Sequence, residues 1–230
     1  MSEVDRGRAP AEGSSGGSLG AAWPAPVVAR HGDGGPLVVL LHGRGSTETE
    51  IVRLAEALPA GAEYVAVRAP IAEGSGFAWF VNRGIGRPVA ESLADTMRWF
   101  REWLDETSPA PRPVALVGFS GGAAFAGGLL LQDPDRWSGT AVLYGTLPFD
   151  AGVPVTPDRL GGRPVLVAQG DADTVIPREL LDRTWEYLHA HSGAAVTAHR
   201  DPGGHGLSPA ALDALRVWLA GVLCLHQTAS

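Results

Sequence analysis

The chain has 230 residues, 45% of them hydrophobic, and a formal charge of −7. These values fit one ordinary globular domain and exclude a fibre or a wholly disordered chain. The charge is scattered without a basic block, which excludes nucleic acid and anionic membrane as partners, because phosphate binding needs a concentrated cationic face.

Lysine is absent, so every fixed cation is an arginine and no lysine nucleophile or Schiff base is available. Cys224 is the single cysteine, so no internal disulfide can form. Its apolar setting, Val217 to Leu225, predicts a small buried or half-buried side chain. The opening Met-Ser-Glu-Val-Asp-Arg lacks the apolar core of a signal peptide. No apolar run approaches the roughly 20 residues needed to cross a bilayer. The expectation is a cytoplasmic protein without membrane insertion, with a homodimer left open.

Residues 1–22 are rich in Gly, Ser, Ala and charge and read as a flexible tail before a single domain over residues 23–225. From there apolar strand-like runs fall at Leu37–Leu41, Tyr64–Val67, Val114–Val117, Thr140–Tyr144 and Pro164–Ala168, with a weaker one at Ala195–Ala198. Helical spacing falls between them, at Ser46–Leu58, Pro88–Glu106, Gly122–Gln132, Arg178–His191 and Pro209–Leu223. Leu93, Met97, Phe100 and Leu104 share one helix face, and Pro109, Pro111 and Pro113 then end that helix. Short apolar strands alternating with helices predict an α/β fold with a mainly parallel sheet covered on both faces. Ligands in such sheets collect at the carboxyl ends of the strands.

Four segments there carry chemistry. Val114-Ala-Leu-Val-Gly-Phe-Ser-Gly-Gly122 is a strand entering Gly-x-Ser-x-Gly and then a helix, a turn that pushes the hydroxyl of Ser120 out over the sheet. The same pattern at Gly13 to Gly17 has no strand or helix beside it. Leu37-Val-Val-Leu-Leu-His-Gly-Arg-Gly-Ser46 is a strand followed by His-Gly-x-Gly, a loop whose backbone N–H groups can face a developing oxyanion. His42 is expected to shape that loop rather than titrate. His31-Gly-Asp-Gly34 repeats the pattern ahead of a strand and reads as a turn between two strands.

The third segment, Val165 to Pro177, ends a buried strand with Asp171 and Asp173. A nucleophilic serine needs one carboxylate to fix the tautomer of its histidine, and the residues alone leave both acids open. The fourth is Asp201-Pro-Gly-Gly-His205-Gly206, where glycines let a loop carry an imidazole to the nucleophile. His189 and His191 lie at a helix end, His199 at a strand end and His226 in the terminal stretch, so His205 is the candidate base. Serine, acid and histidine follow one another in the order used by α/β-hydrolases.

Leu41-His-Gly-Arg-Gly45, Ala69-Pro70 followed by Trp79-Phe80, Gly118-Phe-Ser-Gly-Gly122, Gly170-Asp-Ala-Asp-Thr-Val-Ile-Pro177 and Gly204-His205 together resemble the phospholipase/carboxylesterase family. That group includes acyl-protein thioesterases and small bacterial esterases related to dienelactone hydrolases. The resemblance spans about residues 35 to 220 and implies an α/β-hydrolase fold without a large cap domain. It implies Ser120, Asp173 and His205 as a catalytic triad, the backbone N–H groups of Arg44 and Gly121 as oxyanion hole, and Trp79 and Phe80 as an acyl wall. Gly121 stands where acyl-protein thioesterases usually carry glutamine.

The expected activity is that of a serine carboxylesterase cleaving small to medium acyl esters through an acyl-serine, with no metal and no cofactor. The alternatives are a thioesterase or acyltransferase working on an acyl-thioester or biosynthetic intermediate, and a non-catalytic receptor on the same fold. The partner would be a small-molecule ester or thioester.

Overall fold

The computed structural model describes residues 23–225. The expected tail, residues 1–22, and His226 lie outside the described residues.

Strands β1 (Val28–His31), β2 (Leu37–Leu41), β3 (Glu63–Val67), β6 (Val114–Phe119), β7 (Gly139–Leu143), β8 (Pro164–Gly170) and β9 (Ala195–Asp201) form a seven-stranded sheet in the order β1-β3-β2-β6-β7-β8-β9. Only β1 runs antiparallel to its neighbour, β3. Strands β4 (Ile71–Glu73) and β5 (Gly76–Ala78) pair separately as a hairpin. The helices are α1 (Glu48–Ile51), α2 (Ala90–Thr107), α3 (Gly121–Gln132), α4 (Arg178–Glu186) and α5 (Pro209–Val222).

The near-continuous apolar strands have the composition required by a sheet with two buried faces. Successive side chains point to opposite faces, so β2 sends Leu37, Val39 and Leu41 into one core and Val38 and Leu40 into the other. The first core is closed by Leu93, Met97, Phe100 and Leu104 of α2 and by the buried helix α3. The second is closed by Leu215, Trp218 and Leu219 of α5. The face predicted from the spacing of Leu93 to Leu104 is the one α2 buries.

Four features differ from expectation. β1, implied in the sequence only as the strand entering the turn at His31–Gly34, is a four-residue edge strand with half of its residues exposed, and the β4–β5 hairpin is not predicted, each of its strands having only three residues. The helix expected over Ser46–Leu58 is α-helical only over Glu48–Ile51 and continues as a 3-10 helix over Val52–Ala57. The β-branched pair Ile51-Val52 and the approach to Pro59 both disfavour a longer α-helix. The last turn of the helix expected over Arg178–His191 widens to a π-turn over Tyr187–His191. Cys224 is exposed rather than buried, because the backbone turns left-handed at that residue (φ 52°) while Leu223 takes the inward position.

Among the described residues no helix is long and apolar enough to cross a membrane, and no group of three or more His, Cys, Asp or Glu is placed to hold a metal ion.

Candidate active site

The carboxyl ends of β2, β6, β8 and β9 converge on one cavity of about 420 Å³. Ser120 sits between β6 and α3 with φ 55° and ψ −114°, a left-handed conformation that a non-glycine residue adopts at a cost of about 1–3 kcal/mol. Its surroundings fix that conformation. The N–H of Ser120 donates to Leu143 O at 2.9 Å, and a side chain at Gly118 or Gly122 would collide with backbone: a Cβ at Gly122 would stand 2.1 Å from Leu41 O, and one at Gly118 2.2 Å from Gly122 O. The two glycines therefore permit the close crossing of β2, β6 and α3 that lifts the serine over the sheet edge.

His205 Nε2 lies 2.9 Å from Ser120 Oγ, and its Nδ1 lies 2.8 Å from Asp173 Oδ2. With Nδ1 donating to a carboxylate, Nε2 is left as the acceptor facing the serine. The Asp173 carboxylate is solvent-inaccessible, and its other oxygen accepts the N–H groups of Val175 at 2.8 Å and Ile176 at 3.0 Å. Burial pushes the Asp173 carboxyl up, but the bonds from His205, Ile176 and Val175 outweigh it and hold the group below its ordinary value. A hydroxyl, a tautomer-fixed imidazole and a charged, anchored carboxylate in one row can pass a proton from serine to histidine.

Asp171, the other acid of that loop, is turned to solvent. Its side chain is 55% exposed and its charged neighbour is Arg178 at 3.6 Å. Its contribution to the loop is through the backbone, its N–H donating to Asp201 O at 2.8 Å.

The N–H groups of Arg44 and Gly121 belong to two segments in direct contact: a Cβ built on Gly121 would lie 3.2 Å from Arg44 N. Neither N–H donates to an acceptor among the described residues. Side chains hold the loop that carries Arg44. His42 is fully buried, accepts the N–H of Ala69 on Nε2 at 3.1 Å, and so carries its proton on Nδ1, which donates to Gly43 O at 2.7 Å. Burial keeps this imidazole below its ordinary pKa, in keeping with a neutral, shape-giving residue.

The β4–β5 hairpin clamps the same loop from outside. Gly45 N–H donates to Phe77 O at 2.9 Å and Phe77 N–H to Ser46 O at 3.0 Å. The Arg44 guanidinium reaches across to the Glu73 carboxylate and to Phe80 O at 3.2 Å. No periodicity in the sequence predicts a hairpin there, and no motif assigns a task to this guanidinium.

Phe80 borders the cavity with Ile85, Leu147, Pro148 and Ile176, making most of its wall apolar. Trp79 differs from its expected place in an acyl wall. It borders the cavity but is 1% exposed, its ring stacks on Phe125 at a centroid distance of 4.4 Å, and its indole N–H donates to His42 O at 2.8 Å. Packing and that hydrogen bond make it a support for the His42 loop first, with little surface left for a ligand.

A second buried carboxylate, Asp201, escaped the sequence reading although it opens the segment that ends in His205. It is 8% exposed. Its Oδ2 accepts Tyr144 O–H at 2.5 Å and Ser208 O–H at 2.9 Å, its Oδ1 accepts Gly203 N–H at 2.8 Å, and His199 lies 3.6 Å away. Burial raises its pKa, but the bonds from Tyr144, Ser208 and Gly203 prevail and the carboxyl lies below its ordinary value. Asp201 thus ties both ends of the His205 loop to one point. The available signal was its place between a strand end and a Pro-Gly-Gly turn; the tyrosine that meets it is 57 residues away in sequence.

Comparison with known proteins identifies the family and the fold. A family model described as phospholipase/carboxylesterase matches residues 24–222. A Bacillus subtilis protein provisionally named as a hydrolase, MhqD, is 26% identical over 186 residues, covering 79% of this chain and 91% of that protein. The crystal structure of a Mesorhizobium loti carboxylesterase is 28% identical, with a TM-score of 0.73 over 88% of this chain and 92% of that one. A Bacillus cereus carboxylesterase, 24% identical, shares the fold with a TM-score of 0.75 over 86% of this chain and 94% of that one. The chain belongs to the phospholipase/carboxylesterase family of α/β-hydrolases, a family of ester hydrolases.

Proposed function

We propose that the protein is a serine carboxylesterase that cleaves small to medium acyl esters, with Ser120 as nucleophile, His205 as general base and acid, and Asp173 as the carboxylate that orients the imidazole. The observation that carries this reading is the unbroken row from Asp173 through His205 to Ser120 at the edge of an apolar cavity.

His205 Nε2 takes the proton of Ser120 as Oγ attacks the ester carbonyl. The tetrahedral oxyanion is met by the N–H groups of Arg44 and Gly121. His205 then hands its proton to the departing alkoxide, leaving an acyl-serine. A water, deprotonated by the same nitrogen, releases the acid and restores the serine. A thioester would pass through the same steps with a thiol leaving.

The apolar wall suits an acyl chain of a few methylenes, each contributing about 0.8 kcal/mol while it remains in contact. The test is turnover of para-nitrophenyl esters of graded length by the wild type and by Ser120→Ala. Activity that rises from acetyl to butyryl or hexanoyl and vanishes in the variant agrees with the proposal. Full activity in the variant contradicts it.

A further inference from the structure

The loop between Phe80 and α2 forms one wall of the catalytic cavity, and Asn82 is its polar contribution. The backbone is locked on both sides of this residue. Val81 N–H donates to Ser92 Oγ at 2.9 Å, Val81 O accepts Val89 N–H at 2.8 Å, and Arg83 N–H donates to Arg87 O at 2.9 Å. Asn82 pairs with Pro88 between these bonds, and successive side chains of such a pair alternate in direction. Val81 and Arg83 are accordingly exposed, while Asn82 is partly buried and borders the cavity.

Asn82 Oδ1 is closed off from solvent and has no hydrogen-bond partner among the described residues. Its Nδ2 donates to none of them either. A buried polar atom left unpaired is rare, because it gives up water without gaining a partner. The usual structural tasks of asparagine do not account for it. Its φ lies outside the left-handed region, so the turn does not require this residue, and its side chain neither closes a turn nor caps α2. The other polar side chains around the cavity are engaged: Arg44 with Glu73 and Phe80 O, Ser46 with Glu50, Thr146 with Thr184, Trp79 with His42 O, and Ser120 with His205. Among the described residues Asn82 is thus the one uncommitted hydrogen-bonding side chain of the cavity. A few such groups in a mostly apolar wall are what orient a ligand.

Deepening the esterase reading, on which it rests, we propose that Asn82 is a specificity-determining residue that hydrogen-bonds a hydroxyl group carried by the substrate. The amide is bonded at neither end, so it can rotate about Cβ–Cγ and offer an acceptor or a donor. A hydroxyl answers both, whereas a carboxylate or a carbonyl only accepts and leaves Oδ1 without a donor. A charged group would also have to shed its water against Phe80, Leu147 and Ile176. The substrate is then an ester with an apolar body and an uncharged hydroxyl, both held in the cavity as the carbonyl meets Ser120. The hydroxyl should favour it about three- to tenfold over an analogue with a methyl group in that place, which leaves the amide unpaired.

The test uses matched pairs in which a methyl replaces the hydroxyl. On the acyl side, para-nitrophenyl 3-hydroxybutyrate is compared with the 3-methylbutyrate, and the 6-hydroxyhexanoate with the heptanoate. On the leaving-group side, 2-hydroxyethyl butyrate is compared with propyl butyrate by titration of the acid released. The hydroxylated member should have the higher kcat/KM in at least one pair, and that pair tells which end of the substrate Asn82 meets. In Asn82→Leu the ratio should fall to one or below, with Tm no lower than in the wild type, because an unpaired polar atom has been removed. Asn82→Ala should abolish the preference as well, so the outcome does not hang on leucine fitting the site. Arg83→Gln, at the exposed neighbour, should leave the ratio as in the wild type. A ratio of one or less in every pair overturns the proposal, as does a preference that survives both Asn82 variants or that Arg83→Gln abolishes equally. Were none of these esters hydrolysed, the esterase reading would fall instead. Binding of methyl 3-hydroxybutyrate and methyl 3-methylbutyrate, followed by nuclear magnetic resonance titration, would then decide: tighter binding of the hydroxylated ester that Asn82→Leu loses supports recognition by Asn82, and equal binding refutes it.

Discussion

Replacing Asp201 by asparagine removes a charge without changing the shape of the residue. The carboxylate collects two hydroxyls and one N–H in a nearly solvent-free place. Hydrogen bonds to a charged group contribute about 1.5–3 kcal/mol each, but the asparagine keeps an oxygen for Gly203 N–H, and the two hydroxyls can rotate to accept from its amide. The net loss at neutral pH should therefore be about 1–3 kcal/mol, or a drop in Tm of about 3–10 °C for a domain of this size.

The pH dependence carries the diagnostic sign. The folded carboxyl of Asp201 lies below its unfolded value of about 3.9. Its contribution is therefore complete above that value and is lost as pH falls through the lower folded one. Between about pH 5 and pH 3 the wild type should lose stability that the variant no longer has to lose, so the two curves converge on acidification. Urea unfolding across that range measures it. Because the bonds also tie down the His205 loop, kcat should fall by about tenfold with little change in KM. Curves that stay parallel from neutral to acid pH would refute the reasoning, as would a variant as stable as the wild type.

Other substitutions separate neighbouring roles. Asp173→Asn should cost roughly four orders of magnitude in kcat on a neutral ester by presenting the wrong histidine tautomer, whereas Asp171→Asn, solvent-exposed, should cost less than about twofold; steady-state kinetics on both decides. Arg44→Ala leaves its backbone N–H in place but frees the loop from Glu73 and Phe80, so a fall in kcat of about tenfold is expected. Glu73→Gln should reproduce most of it, and a large effect confined to Arg44 would instead point to direct contact with substrate. Trp79→Phe opens space beside Phe125 and strands His42 O, and should lower stability by about 2–4 kcal/mol in chemical denaturation while leaving the preference for acyl length largely unchanged.

Much of the architecture was legible because it is repetitive. The apolar runs of β2, β6, β7 and β8 and the spacing of Leu93, Met97, Phe100 and Leu104 are period signals that tertiary packing reinforces. The segments holding Ser120, Asp173 and His205 were legible for a related reason: each follows a strand at its carboxyl end, where glycines and small residues are forced by close backbone approach. The sequence could not choose between Asp171 and Asp173, two residues apart on one loop; that depends on which carboxylate meets the N–H groups of Val175 and Ile176. Nor could it reveal the β4–β5 clamp, whose three-residue strands are too short to show a period. The Tyr144–Asp201–Ser208 cluster joins a strand end to a loop and a helix cap, and no local pattern links the three. Trp79 read as an acyl wall because an aromatic beside a cavity and an aromatic beneath it look alike in sequence, and only Phe125 and His42 O distinguish them.

The central claim, that Ser120 is the nucleophile activated through His205, is tested most directly by mass-spectrometric mapping of a fluorophosphonate adduct. The wild type should carry one adduct on the peptide containing Ser120, and Ser120→Ala should carry none. His205→Ala should react slower by several orders of magnitude while remaining folded by circular dichroism. An adduct at Ser15 in the other Gly-x-Ser-x-Gly segment, or labelling of Ser120 at the wild-type rate without His205, would contradict the account.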